Sequence, residues 1–242
     1  MRPTRTPTAR RAAQRIARRI AQRGLSIVEL LVATAIALFI VATGTSVFAT
    51  HLQDSRSLLL EARLTQDLRV AADVITRDLR RAGHWGGAAQ AVRPPGAAAS
   101  AAPVNPYLAV VPAAGSGDAV SFRYSRDASE NQVVDSHEQF GFRLRAGVVE
   151  MQLGAGNWQA LTDPGSVLMT GFAVTPSAQS VALASLCDRP CPAASPTCPP
   201  RQQVRSVAVL LTGTLPRDPA TSRSVRSEVR LRADAVTGAC AA

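Results

Sequence analysis

The chain has 242 residues, enough for one medium domain plus additional segments, and few aromatics, so that a core must rest on Val, Leu, Ala and some Phe. Its formal charge of +10 does not indicate a nucleic-acid binder. Eight arginines (Arg2, Arg5, Arg10, Arg11, Arg15, Arg18, Arg19 and Arg23) precede Gly24 with no acid among them, and beyond that point basic and acidic residues nearly balance.

The arginine-rich block runs into "RGLSIVELLVATAIALFIVATGTSVF", residues 23–48, and no Asp, Glu or Arg occurs from Leu30 to Gln53. These 24 residues exceed the roughly 20 that a helix needs to cross a bilayer. By the positive-inside rule the arginines stay cytoplasmic, and the chain after about His51 lies across the membrane. Three readings compete for this N-terminus. A secretory signal cut after Val47-Phe48-Ala49 would have an apolar region of about 7–15 residues, shorter than the one present. A plain anchor fits the length but gives no purpose to Glu29, an ionisable group near one end of a membrane helix. Cleavage between Gly24 and Leu25 explains both. It exposes an amine four residues before the carboxylate, about 6 Å along a helix, and in a staggered bundle the acid of one helix neutralises the amine of a neighbour.

Gly24-Leu25-Ser26-Ile27-Val28-Glu29-Leu30 resembles the processing motif of the type IV prepilins. The resemblance implies that a prepilin peptidase cuts after Gly24 and N-methylates Leu25, and that Glu29 acts in assembly. Leu25 stands where Phe is more usual, and the leader is long for the group.

After the membrane segment the apolar pattern turns periodic. Leu60, Leu64, Leu68, Ala71, Ile75, Leu79 and Ala82 recur at spacings of three and four, with charged residues on the other faces. This predicts an amphipathic continuation of the same helix, 58 residues from Leu25 to Ala82 and about 87 Å if unbroken, with Gly83 as its C-terminal cap. Gly44 weakens the membrane half. Residues 86–117, rich in Ala, Pro and Gly, read as a long loop.

Strands follow by alternation. In "AVSFRY", Val120, Phe122 and Tyr124 share one side, and in "QFGFRLR" Phe140, Phe142 and Leu144 do. "GVVEMQLG" and "NWQAL" are predicted to form a hairpin turning at Gly154-Ala155-Gly156-Asn157. "SVLMTGFAV", a central "QVRSVAVLLTGTL" and "SVRSEVRLRADA" complete the series. The expected fold is α+β and pilin-like: one long N-terminal helix, membrane half and amphipathic half, packed on an antiparallel sheet of five to seven strands. The expected organisation is a leader over 1–24, a transmembrane and assembly helix over 25–53, an amphipathic helix over 54–83 and a periplasmic β-rich domain over 84–242.

"ITRDLRRAGHWG" (75–86), "GSGDAVSFRY" and "VRSEVRLRADA" resemble the helix end, opening strand and last strand of minor pilins of the PilW type. That resemblance implies a minor pilin of the inner membrane, single-pass with its C-terminal domain in the periplasm. Such a protein joins other minor pilins and the major pilin in a complex that primes type IV pili and sits at the fibre or its tip. A J-type pseudopilin of type II secretion is the alternative. Gly87 departs from the pattern, similar proteins often having Cys there, so their disulfides cannot be transferred.

Cys187, Cys191, Cys198 and Cys240 are even in number and, in an oxidising compartment, expected to be paired. One bridge from the loop to Cys240 and one within the loop is favoured, with the partners open. A zinc site is disfavoured by the spacing, and no metal or cofactor is expected. Arg77, Asp78, Arg80 and Arg81 read equally as a partner patch or a solvated helix face. Trp85 is expected to pack the helix end, with His84 incidental, and neither His51 nor His137 has companions at ligand spacing. Arg226, Arg230 and Arg232 share a strand face with Glu228 and read as a solvated sheet surface, since the aromatics of a single-strand binder are missing. No nucleophile elbow, paired-His motif or phosphate loop points to an enzyme.

Overall fold

The computed structural model describes residues 26–91, 104–112, 115–193 and 195–241, and the chain divides into two compact units, Met1–Ser57 and Leu58–Ala242. The described part of the first unit is helical. Helix α1 runs over Ile27–Leu79 and so continues into the second unit. From Ile27 to Leu60 its side chains are exposed on every side, as the continuous apolar run requires of a segment with no core of its own to enter.

In the second unit α1 becomes one-sided. Leu64, Leu68, Ala71, Ala72, Ile75 and Leu79 are buried, the stripe that the spacing of three and four produces. Leu60 departs from the expected stripe and is 46% exposed, because the sheet cover begins one turn later at Leu64. The helix ends differently from a simple glycine cap. Arg81 and Ala82 donate to the carbonyls of Asp78 and Leu79 in tight turns, and Gly83, at φ +79°, donates its N–H to the Arg123 carbonyl at 2.8 Å. Gly83 therefore ties the helix end to a strand.

The strands form two antiparallel sheets where a single one was expected. The first is a meander of β1 (Val110–Val111), β2 (Ala119–Arg123), β3 (Gln139–Arg145), β4 (Val148–Leu153) and β5 (Trp158–Ala160). The second orders β6 (Leu168–Ala182), β7 (Arg201–Leu215) and β8 (Asp218–Arg230), and β9 (Ala235–Thr237) pairs with β7 at Arg201–Gln203, where β8 has ended. Alternation along a strand fixes which face is buried but carries no information on which strand lies alongside. Here β6 pairs with β7 and leaves β5 as an edge.

Ala146 and Gly147, both at positive φ, make the two-residue turn that joins β3 to β4. The β4–β5 hairpin turns at residues 154–157, as the glycines indicate. The core gathers the α1 stripe with Val120, Phe122, Tyr124, Phe140 and Phe142 of the first sheet, and Val174, Val207, Val209, Leu211 and Val229 of the second, joined by Leu231 just beyond β8. At Gly213 an added Cβ would stand 2.7 Å from Val167 and 3.3 Å from Leu68, so the small residue lets the helix approach the second sheet.

Candidate functional site

Glu29 lies in the first turn of α1, exposed, where the free N–H groups of a helix start favour a negative charge. Leu30 N–H donates to the Ser26 carbonyl at 3.0 Å, the first bond of the ladder. Gly24 and Leu25, the predicted cleavage pair, lie outside the described residues. Downstream, Ile27, Phe39 and Phe48 present 80, 73 and 65% of their surface. The hydroxyls of Thr34, Thr43, Thr45, Ser46 and Thr50 donate to carbonyls three or four residues back, so they are satisfied by the helix itself. Among the described residues α1 is the one helix long and apolar enough to cross a membrane.

At the other end of α1 a buried polar network fixes the loops. Glu138 is fully buried, and its carboxylate accepts the N–H groups of Arg126 (2.8 Å) and Asp135 (2.9 Å) and the Tyr107 hydroxyl (3.1 Å). The Tyr107 hydroxyl also lies within hydrogen-bond distance of Glu130 and the Val133 carbonyl. Burial, then the neighbouring carboxylates, push its pKa well above the usual phenol value. Burial acts to raise the Glu130 carboxyl, but donors from Ser125, Gln132, Tyr107 and Gly86 outweigh it and hold the pKa below the ordinary value. Glu138, Glu130 and Tyr107 were not singled out in the sequence, because their partners are brought together only by the fold.

Of the helix-end charges, Arg81 sits 4.2 Å over the ring of Tyr124, which stacks on Phe140 at 3.9 Å, and it lies 3.8 Å from Asp78. Burial raises the Asp78 carboxyl despite Arg81 and Arg77. Trp85 is buried, as expected of a helix-end anchor. A Cβ at Gly87 would approach its indole nitrogen to 2.8 Å and Gln132 Nε2 to 2.6 Å. A side chain at the glycine that departs from the PilW-type pattern would therefore have to displace Gln132 and press on the buried Trp85 ring.

The cysteines pair as Cys187–Cys240 and Cys191–Cys198. The Cys187–Cys240 bridge joins the β6–β7 loop to the C-terminal tail, which β9 and the Ala239 N–H to Thr197 carbonyl bond also hold. Sulfurs of Cys187, Cys191 and Cys198 lie within 4.8 Å of one another, all committed to bridges. Arg226, Arg230 and Arg232 are exposed opposite Val229 and Leu231, with Arg230 bonded to Asp234 at 2.7 Å.

A long helix, apolar all round in its first half and laid on antiparallel sheets in its second, with a disulfide-closed tail, defines a pilin-like protein anchored by its N-terminal segment. The chain belongs to the PpdB family, described as prepilin peptidase-dependent protein B, which matches residues 57–231. That match begins after Glu29, so it is independent of the processing motif. No curated protein and no solved structure matches the chain.

Proposed function

We propose that this chain is a minor pilin of the PilW type, cut by prepilin peptidase between Gly24 and Leu25, N-methylated at Leu25, and needed to assemble type IV pili. Before assembly it resides in the inner membrane through residues 25–53, with the amphipathic helix (54–83) and β-rich domain (84–242) in the periplasm. It then enters a priming or tip complex with other minor pilins and the major pilin. Glu29 sets the register by pairing with the Leu25 amine of a neighbouring helix. The observation that carries this reading is the processing motif at the head of a helix whose apolar side chains are unburied from Ile27 to Leu60. An apolar surface of this extent requires lipid or other helices around it.

The test is mass analysis of the mature N-terminus from cells with and without the peptidase. A peptidase-dependent start at N-methyl-Leu25 is expected, and a start at Thr50 would overturn the proposal. Glu29→Ala is expected to abolish pilus production while the protein accumulates in the membrane. Loss of a secreted substrate with pili intact would instead favour the J-type pseudopilin of type II secretion.

A further inference from the structure

One side-chain cluster lies outside everything above. Asp127, Asp135 and His137 bring two carboxylates and an imidazole together, with one ligand atom of each within 4.8 Å of the others. Nε2 of His137 lies 3.3 Å from Oδ1 of Asp127. Two ligands on a tetrahedral ion at about 2.1 Å would be about 3.4 Å apart.

Three features separate this cluster from a chance meeting of surface charges. Asp127 keeps only 13% of its side-chain surface, and its Oδ2 is buried with no hydrogen-bond donor among the described residues. A carboxylate oxygen withdrawn from water without a partner is costly, and a cation held by the same carboxylate lowers that cost. The backbone on both sides is fixed, because the buried Glu138 carboxylate holds the N–H of Arg126, beside Asp127, and the N–H of Asp135. Asp135 is oriented in turn by Asn131, whose Nδ2 donates to its Oδ2 at 3.0 Å, the kind of outer bond that ligating carboxylates keep. His137 is 54% exposed and leaves an approach from solvent.

We propose that Asp127, Asp135 and His137 form a binding site for a divalent transition-metal ion of the zinc type, three protein ligands with water in the fourth position. The imidazole nitrogen selects against calcium and magnesium, which take oxygen ligands, and the carboxylates select against soft monovalent copper. The ion closes the 127–137 loop in the extracytoplasmic part of the chain. The site does not depend on the pilin reading.

The experiment is calorimetric titration of Zn²⁺ into the full chain in detergent, stripped with chelator and kept free of reductant so that the four cysteines stay paired. One Zn²⁺ per chain is expected, with a rise in melting temperature. Asp127→Asn and His137→Ala are each expected to weaken binding at least about tenfold, while His51→Ala and His84→Ala leave it unchanged. Since His137 is exposed, His137→Ala keeps the test decisive even if Asp127→Asn folds poorly. No saturable Zn²⁺ binding, binding untouched by His137→Ala, or equal binding of Ca²⁺ would overturn the proposal.

Discussion

The guanidinium of Arg205 reaches the backbone of Leu108, 97 residues earlier, donating Nη1–H to its carbonyl at 2.6 Å, while Nη2 donates to the Ala233 carbonyl at 2.7 Å. One side chain of β7 thereby bonds the segment before β1 and the segment after β8. Burial pulls its pKa below the usual guanidinium value, against the opposing pull of Asp234. Arg205→Met should destabilise the protein by about 2–4 kcal/mol in urea unfolding, since it strands two carbonyls at about 1–3 kcal/mol each. Arg205→Lys should lose less, because an ammonium can still satisfy one of them.

Glu138→Gln replaces one acceptor oxygen with an NH₂ group facing backbone or hydroxyl donors. A loss of about 2 kcal/mol or more is expected from thermal or urea unfolding. Tyr107→Phe, which removes only the shared hydroxyl, should cost about 1 kcal/mol.

Glu130 gives a pH signature. Its folded pKa lies below the ordinary value, so its contribution is present above the unfolded carboxyl pKa and disappears as pH falls through the folded one. Glu130→Gln should therefore be less stable than the parent at neutral pH, with the gap closing as pH falls below the unfolded carboxyl value and through the lower folded one. Asp78 runs the opposite way: its raised pKa favours the folded state as the carboxyl protonates. Asp78→Asn should remove that gain on acidification. A gap between parent and Glu130→Gln that widens in acid would contradict the assignment.

If the chain assembles as proposed, a substitution at Gly44 tests folding apart from assembly. A Cβ there meets nothing within 4 Å, so within the chain itself Gly44→Ala is free of clash and should gain about 1 kcal/mol of helix propensity. If pilus production falls while helicity measured in detergent stays the same or rises, a neighbouring helix approaches closely at this point. Unchanged pili would mean that Gly44 faces lipid.

The two disulfides should differ in weight. Cys187–Cys240 spans 53 residues and Cys191–Cys198 spans seven. Chain entropy assigns about 4 kcal/mol to the first and about 2.5 kcal/mol to the second. Replacing both cysteines of each pair with serine and measuring urea unfolding should reproduce that order.

What the sequence made legible was local. The α1 stripe from Leu64 to Leu79 follows from spacing alone, and so do the inward faces of β2 and β3, because burial there repeats at the helical or strand period. The outer half of β6, Thr175–Ala182, gave no such signal: its residues are mostly exposed on both faces, so nothing alternates, and Pro176 argues against a strand. Pro176 is tolerated because β6 lies at the edge of its sheet. The short β1 and β9 fell below the length at which a period can be seen. Tyr107, Glu138 and Arg205 were invisible for another reason. Their bonds link residues that become neighbours only through the packing of two sheets and the loops between them.

The first half of α1 returns its hydroxyl protons to its own carbonyls, with a consequence for how the segment enters a bilayer. Residues such as Thr43 and Ser46 offer no free donor to their surroundings, so the span partitions as if it were more oily than residue-by-residue transfer scales would rate it. Exchanging these hydroxyls for Val or Ala should hardly alter insertion efficiency, whereas Asn, whose amide cannot be fully quieted in this way, should depress it.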